Sequence, residues 1–166
     1  MSSARSRKGI ILAGGTGKRL QPITFALSKQ LMPVYDKPMI YYPLTTLMLC
    51  DIRDILIISS PEQQDCFKRL LGDGSQFGIQ FSYEAQQRPE GMAQAFLIGE
   101  KFLAESPVAM ILGDNLFHGS DLVSLLSSAT SRKEGSTIFA YPVRNPEEYG
   151  VIQIDSSGYP IKIDEK

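Results

Sequence analysis

A glycine-rich loop directly after the first apolar run is the feature that most constrains this chain. Residues 10–13 read Ile-Ile-Leu-Ala, which is typical of a buried parallel strand. Three glycines follow, and then three cations: Gly14, Gly15, Gly17, Lys18, Arg19 and Lys29. Glycines let successive backbone N–H groups line a concave anion site, and cations add fixed positive charge. The segment therefore predicts a polyphosphate site, although the loop alone is also compatible with a tight turn after a strand.

Two common phosphate loops do not fit this segment. A P-loop would require Gly in place of Leu12 and Ser or Thr in place of Arg19. The dinucleotide-binding fingerprint begins well, but Leu20 replaces its third glycine and Pro22 falls where its helix should run. A nicotinamide-dependent oxidoreductase is therefore a weaker alternative, which failure to bind NAD would exclude.

Strand and helix patterns alternate along the rest of the chain. Ser60 and Gln63 fit a capping box, and Gly72 fits a helix C-cap. The predicted strands are 54–59, 80–84, 108–112, 136–143 and a hairpin of 151–154 with 160–164; the predicted helices are 39–50, 61–71, 92–103 and a short one ending at 129. This order predicts an α/β fold, a Rossmann-like, mostly parallel sheet flanked by helices with a C-terminal antiparallel β-hairpin.

Composition excludes several classes of function. The 166 residues are 43% hydrophobic with a net charge of −1, which suits one domain and gives no basic field for nucleic acid or a membrane surface. The sequence contains no run of 18 apolar residues, so it predicts no membrane span. Residues 1–8 lack a signal-peptide pattern. We therefore expect a cytoplasmic protein in which Cys50 and Cys66 are buried, reduced thiols.

Three single residues invite a functional hypothesis. Gln86 offers a donor and an acceptor to a pyrimidine edge, although a loop glutamine usually faces solvent. Asp114 follows a buried strand, where it could hold Mg²⁺ with substrate phosphates or cap the next turn. His118 has no obvious partner and is interpreted as an ordinary loop residue.

Six separated motifs resemble the sugar-nucleotide pyrophosphorylases. They read L-A-G-G-x-G-x-R-L-x-P-x-T, S-K-Q-L-x-P, D-K-P-M-I, Y-E-A-Q-x-x-P-E-G-M-A-Q-A, L-G-D-N and E-E-Y-G-V. Within that superfamily the chain looks most like the glucose-1-phosphate thymidylyltransferases. The resemblance implies condensation of dTTP with α-D-glucose 1-phosphate, giving dTDP-glucose and pyrophosphate with Mg²⁺. The sugar phosphate is already an anion, so direct displacement at the α-phosphorus needs no deprotonating side chain.

The resemblance also implies a set of site residues. Arg19, Lys29 and Lys166 would be catalytic, and Asp114 would bind the metal. The nucleotide would be bound by Leu12, Gly14, Gly15, Gly17, Gln30, Gln86 and Gly91. The sugar phosphate would be bound by Tyr149, Gly150, Glu165 and Lys166.

Two departures from the family pattern matter. Lys18 stands where the family usually has Thr, and the family chain is longer and carries a second metal-binding aspartate. We expect 1–166 to be a single nucleotidyltransferase domain that stops before the rest of the sugar-binding region. A homo-oligomer is expected, a tetramer if it behaves like the full-length family chain. A non-catalytic nucleotide- or sugar-nucleotide-binding module and a UTP-using uridylyltransferase remain as alternatives, since thymine and uracil share one pairing edge.

Overall fold

The computed structural model describes residues 6–15 and 17–164, which group into two compact units. The first is Met1–Ser131 and the second is Arg132–Lys166. Glu165 and Lys166, both expected at the sugar phosphate, lie outside the described residues. Each unit is considered by itself below.

The first unit is built on a sheet of four parallel strands. The strands are β1 (Lys8–Leu12), β4 (Asp54–Ser59), β5 (Gln80–Ala85) and β6 (Val108–Leu112), in the order β5-β4-β1-β6. A small hairpin of β2 (Pro33–Val34) and β3 (Lys37–Pro38) separates β1 from the first helix. The mostly parallel sheet confirms the predicted fold class.

Helices cover both faces of this sheet because both faces of the central strands are apolar. On one face, Ile11 and Ile57 pack with residues of α1 (Tyr41–Leu49) and α2 (Pro61–Leu71). On the other face, Ile10 and Leu56 pack against α3 (Gln94–Ile98) and α4 (Glu100–Leu103). Successive strand side chains point to opposite faces, so a continuous apolar run supplies both cores. A fifth helix, α5 (Leu122–Ser131), completes this unit.

The single helix predicted over residues 92–103 is wrong, because the chain breaks at Gly99 into α3 and α4. Gly99 lies against the sheet: a Cβ built there would be 3.1 Å from Leu56 Cδ2 and 3.3 Å from Ile10 Cδ1. The glycine therefore permits close packing of helix on sheet, and that contact cannot be read from helical periodicity.

The helix α2 shows one confirmed signal and one that failed. Gly72 ends the helix at φ 60°, as predicted for a C-cap. The Ser60 side chain, in contrast, makes no capping hydrogen bond to any described residue. Gln63 instead accepts a hydrogen bond from the Ser28 backbone N–H through Oε1, at 3.2 Å. Gln63, which was expected to cap the helix, therefore holds the segment before Lys29 instead.

The second unit contains the predicted hairpin, β7 (Val151–Ile154) with β8 (Pro160–Asp164). Asp155 Oδ1 accepts hydrogen bonds from the backbone N–H groups of Ser157 and Tyr159, at 2.8 and 2.9 Å, which fixes the turn. The strand predicted over residues 136–143 is wrong: the structure describes all of these residues and none is in a strand. None of the sheets formed by the described residues includes this segment, and β propensity depends on packing against neighbouring strands more than on the segment itself.

Three smaller features of the structure concern its cysteines, its first helix and the lengths of its helices. Cys50 and Cys66 are free thiols as predicted, but both are only partly buried. The helix α1 buries a broad face that includes Leu44 and Leu47, while Leu49 is exposed. No helix within residues 6–15 and 17–164 combines the length and apolarity that a membrane crossing requires.

Candidate active site

A cavity of about 330 Å³ opens at the carboxyl ends of β1 and β6. Parallel strands present their carboxyl ends at one edge, and ligands of open α/β sheets bind in the crevice there. The residues that line it come from four separated segments: Leu12, Gly14, Gly15, Gly17, Lys29, Gln30, Gln86, Pro89, Gly91, Met92, Leu112 and Asp114. The fold therefore brings together residues that are up to 102 positions apart in sequence.

A second cavity of about 440 Å³ adjoins the first and shares part of its wall. Gly14, Gly15, Lys29, Gln86 and Pro89 line both cavities. The remainder of the second wall comes mainly from the segment before Lys29 and from the start of α2. The glycine loop thus lies between two adjoining spaces.

The glycine loop has the backbone that only glycine adopts without strain. Gly15 and Gly17 have φ of 104° and 57°. Thr24 Oγ1 donates a hydrogen bond to the Gly17 carbonyl at 2.9 Å, and a Cβ on Gly17 would lie 2.7 Å from Thr24 Cγ2. Gly15, in contrast, has open space where a Cβ would stand. Thr24 therefore holds the loop at Gly17, whereas the space beside Gly15 is open.

Gln30 is held in place before any ligand arrives. It is 4% exposed, and its Nε2 donates to the Gly14 carbonyl at 3.4 Å while its Oε1 accepts from Ser28 Oγ at 2.5 Å. A Cβ on Gly113 would lie 2.9 Å from Gln30 Cγ, so glycine at that position makes room for the side chain. Backbone carbonyls only accept hydrogen bonds, and the Gly14 contact therefore fixes which way the Gln30 amide points.

Gln86 is a second buried amide on the same cavity. It is 5% exposed, its backbone N–H donates to the Ser59 carbonyl at 2.8 Å, and its Nε2 donates to Gln94 Oε1 at 2.6 Å. Its Oε1 faces the glycine loop, since a Cβ on Gly14 would lie 2.7 Å from it. The sequence left open whether Gln86 faces solvent, and the structure buries it on the cavity wall.

Lys29 and Asp114 form an ion pair at the mouth of the cavity. Lys29 Nζ contacts Asp114 Oδ2, and each side chain is 30% exposed. Asp114 lies two residues beyond the end of β6, whereas Lys29 lies in the irregular segment between β1 and β2. A half-exposed pair of this kind contributes only about 0–1 kcal/mol. The free-energy cost of replacing either partner by a group of a ligand is therefore small.

The donor set at Asp114 suits a metal ion that arrives with its substrate. Within the part of the chain that the structure describes, no three His, Cys, Asp or Glu side chains cluster closely enough to hold a metal ion. Mg²⁺ is commonly held by one or two carboxylates together with substrate phosphates, so a single aspartate fits that mode and not a preformed protein cage.

The remaining predicted site residues that the structure describes are exposed. Arg19 is exposed and lines neither cavity, and Lys18 beside it is exposed as well. Tyr149, in the second unit, is 48% exposed, and Gly150 is exposed. His118 is exposed, in agreement with its interpretation as a loop residue.

Sequence reasoning missed three residues that support the two buried glutamines. Ser28, Glu90 and Gln94 were not singled out, yet each holds one of the two buried glutamines directly or through one intermediate. Glu90 lies four residues before Gln94, which is the first residue of α3. Both residues belong to the motif that also contains Gln86 and Gly91, and that shared motif was the available signal.

Proteins of similar sequence and structure support the same kind of site. The profile of the nucleotidyl transferase family matches residues 8–166. The glucose-1-phosphate thymidylyltransferase of Neisseria meningitidis (serogroup A) is 56% identical over 96% of this chain and 55% of its own length. That of Xanthomonas campestris (strain B100) is 56% identical over 96% of this chain and 54% of its own. A Bacillus anthracis crystal structure assigned to the same enzyme superposes with a TM-score of 0.89 at 41% identity, covering 96% of this chain and 64% of that one.

The chain therefore belongs to the nucleotidyl transferase family, and the resemblance stated from its motifs is confirmed. Within that family it is most similar, among these relatives, to glucose-1-phosphate thymidylyltransferases. The chain spans about half the length of the curated relatives that it matches.

Proposed function

We propose that this chain transfers the thymidylyl group of dTTP to α-D-glucose 1-phosphate, giving dTDP-glucose and pyrophosphate. One observation carries the proposal: all seven residues expected at the nucleotide line one cavity, together with Lys29 and Asp114. The seven are Leu12, Gly14, Gly15, Gly17, Gln30, Gln86 and Gly91. Relatives at 56% identity that carry this activity by name support the same conclusion.

The buried glutamines would receive the base. Gln30 and Gln86 are polar, nearly inaccessible and held by other groups, so they offer hydrogen bonds at fixed positions. Leu12 and Met92 add apolar surface to the same wall. Fixed hydrogen-bonding groups on an apolar wall are typical of small-molecule sites.

The glycine loop and its cations would receive the triphosphate. Backbone N–H groups of the loop can bind phosphate oxygens, and Lys29 would move from Asp114 to the α-phosphate. Arg19 would steady the leaving pyrophosphate; because its side chain is exposed outside both cavities, that role requires it to turn toward the loop when the triphosphate binds.

Asp114 would hold Mg²⁺. When bound, Mg²⁺ neutralises charge on the nucleotide phosphates. Release of Asp114 from Lys29 would make both groups available at once, the carboxylate to the cation and the ammonium to the phosphate.

The chemical step would be a direct displacement. An oxygen of the sugar phosphate forms a bond to the α-phosphorus of dTTP, the bond from that phosphorus to the β-phosphate oxygen breaks, and pyrophosphate leaves with the electron pair. The work of the protein is to align two anions and to stabilise the charge on the leaving group. Tyr149, Gly150, Glu165 and Lys166 remain the residues expected at the sugar phosphate.

Three further expectations belong to this proposal. Mg²⁺ is the divalent metal expected, the protein is expected to act in the cytoplasm, and a homo-oligomer is expected. None of these rests on the cavity geometry, and each can be measured separately.

The experiment combines binding with turnover. Calorimetry should show that the chain binds dTTP, and pyrophosphate release should require dTTP, glucose 1-phosphate and Mg²⁺ together. Binding without release would reduce the proposal to nucleotide binding by this part of the molecule. Failure to bind dTTP in the presence of Mg²⁺ would overturn it.

A further inference from the structure

Three side chains beside the cavity form a chain of hydrogen bonds that ends at Gln86. Glu90 Oε2 accepts from Gln94 Nε2 at 2.9 Å, and Gln94 Oε1 accepts from Gln86 Nε2 at 2.6 Å. Glu90 is exposed, Gln94 is half-buried and Gln86 is 5% exposed. The chain therefore runs from solvent to the cavity wall.

Glu90 fixes the orientation of the Gln94 amide in two ways. Its carboxylate can only accept, so it requires the NH₂ group of Gln94. Its backbone N–H can only donate, and it donates to Gln94 Oε1 at 3.3 Å. A reversed Gln94 amide would place oxygen against a carboxylate and NH₂ against an N–H. Both contacts would be repulsive.

Gln94 in turn fixes the orientation of the Gln86 amide. Because Gln94 presents its oxygen, Gln86 has to meet it with Nε2. The carbonyl oxygen of Gln86 is then left on the side of Gly14, where none of the described residues donates to it. Among the described residues no buried side-chain oxygen lacks a partner, so this undonated oxygen is accessible at the cavity that Gln86 lines. An acceptor of this kind is suited to a ligand that brings a donor.

We propose that Gln94, held by Glu90, is a positioning residue that makes Gln86 present its carbonyl oxygen to the cavity and so selects a base with a ring N–H. This inference rests on the proposed binding of a nucleotide in this cavity. Thymine and uracil carry a protonated ring nitrogen on their pairing edge. Cytosine carries a lone pair there, which would face the Gln86 oxygen with no proton between them.

The test compares dTTP with 5-methyl-dCTP, two nucleotides that share the methyl group, the sugar and the triphosphate. They differ only on the pairing edge, so their affinity ratio isolates base recognition. We expect calorimetry on the chain to show dTTP binding at least tenfold more tightly. A polar contact that a ligand leaves unpaired in a buried site accounts for a difference of about this size.

Two substitutions of Gln94 should change this ratio. Gln94→Lys places a donor-only side chain next to the Glu90 carboxylate, so Gln86 would have to turn its oxygen to Lys and its NH₂ to the cavity. The preference for dTTP should then fall at least tenfold or reverse. Gln94→Met removes the fixing contact without imposing the opposite one, and it should bring the ratio toward one.

Controls separate orientation from charge and folding. The double variant Glu90→Gln with Gln94→Glu exchanges the two groups, keeps an acceptor for Gln86 Nε2 and should keep the wild-type preference. Leu97→Lys adds the same charge on the same helix at a side chain that is 76% exposed, and it should leave the ratio unchanged. Thermal melting of each variant checks the fold; Gln94→Met, which adds no charge, serves if Gln94→Lys does not fold.

The outcomes distinguish this inference from the proposed function. If the wild-type chain prefers dTTP and a folded Gln94→Lys variant keeps the same ratio, the inference is overturned while nucleotide binding stands. Equal binding of both nucleotides by the wild-type chain also overturns it. If the wild-type chain binds neither nucleotide, the proposed function falls with it.

Discussion

The side chains at the two ends of the candidate site are fixed to different degrees in the absence of a ligand. At one end, Gln30 and Gln86 are almost fully buried, and each amide is oriented by neighbours that permit only one direction. At the other end, Lys29 and Asp114 neutralise each other at the mouth of the cavity, and Arg19 is exposed outside it.

This difference follows from the physics of the groups involved. A buried amide is costly unless its hydrogen bonds are satisfied, so it is fixed by the fold. Charged side chains near the surface are solvated in the absence of a ligand and gain little from being held still. The end expected to receive the base is therefore rigid in the free protein, whereas the end expected to receive the phosphates is completed by the ligand. Substitutions at the two ends should consequently fail in different ways.

The largest effect is expected at Arg19. If its guanidinium stabilises charge on the leaving pyrophosphate, Arg19→Ala should lower pyrophosphate release by about 100- to 1,000-fold, as for the loss of one donor to a developing charge. Because the side chain is exposed, the melting temperature should not change. The control is Arg69→Ala, which removes an exposed guanidinium that lines neither cavity. Turnover by a folded Arg19→Ala variant equal to that of Arg69→Ala would remove Arg19 from the mechanism.

The next effect is expected at Lys29, in affinity more than in stability. Lys29→Met removes a charged donor to phosphate, so dTTP should bind about 10- to 100-fold more weakly. The free energy of unfolding should change by about 1 kcal/mol or less, since only a half-exposed ion pair is lost.

The control for Lys29 is Lys37→Met. Lys37 also pairs with a neighbouring aspartate, Asp36, but lines neither cavity. Calorimetric titration with dTTP and chemical denaturation should be carried out on both variants. A large loss of stability in Lys29→Met with unchanged affinity for dTTP would mean that the ion pair is structural. Lys29 would then not bind the phosphates of dTTP.

Ser28 should behave in the opposite way, because it supports the rigid end. Ser28→Ala removes the hydroxyl that donates to Gln30 Oε1 and leaves that oxygen without its partner. Loss of a buried hydrogen bond of this kind costs about 1–3 kcal/mol of unfolding free energy, measured by denaturant titration.

Affinity for dTTP should fall in Ser28→Ala as well, by less than in Lys29→Met, because Gln30 keeps its contact with the Gly14 carbonyl. Ser124→Ala is a suitable control, as it removes a hydroxyl bonded at 2.8 Å to the Asp121 carbonyl in an exposed setting. Equal unfolding free energies for the two variants would contradict the view that the base end is held by buried hydrogen bonds.

The same contrast explains what the sequence could and could not predict. The strand Asp54–Ser59 and the hairpin Val151–Ile154 with Pro160–Asp164 were predicted with the bounds that the structure has. Each is a local pattern, an apolar or alternating run bounded by turn-forming residues. The glycine loop was found for the same reason, since its glycines and cations are adjacent in sequence.

What escaped prediction depends on contacts between distant segments. Gly99, where the predicted helix breaks, packs against Leu56 and Ile10 in the sheet. Lys29 and Asp114 form an ion pair although they are 85 positions apart, and the two roles considered for Asp114, metal ligand and cap, did not include this pair. Hydrophobic periodicity carries no information about such contacts.

The smallest effect is expected at Asp114, and it tests whether the phosphate end is completed by the ligand. Asp114→Asn removes a carboxylate that would hold Mg²⁺ and at the same time frees Lys29. Without Mg²⁺, dTTP should bind as tightly as in the wild-type chain or slightly more tightly, because a negative charge near the triphosphate is gone. The improvement that Mg²⁺ gives should shrink by about fivefold, the size of a half-exposed charge contact. Calorimetric titrations with dTTP, once in the presence of Mg²⁺ and once in the presence of EDTA, measure both quantities. Asp36→Asn, at an aspartate that also pairs with a lysine, is the control.

If the Mg²⁺ dependence of dTTP binding is identical in Asp114→Asn and in the wild-type chain, the cation binds without Asp114. The ion pair with Lys29 would then be the whole function of this carboxylate.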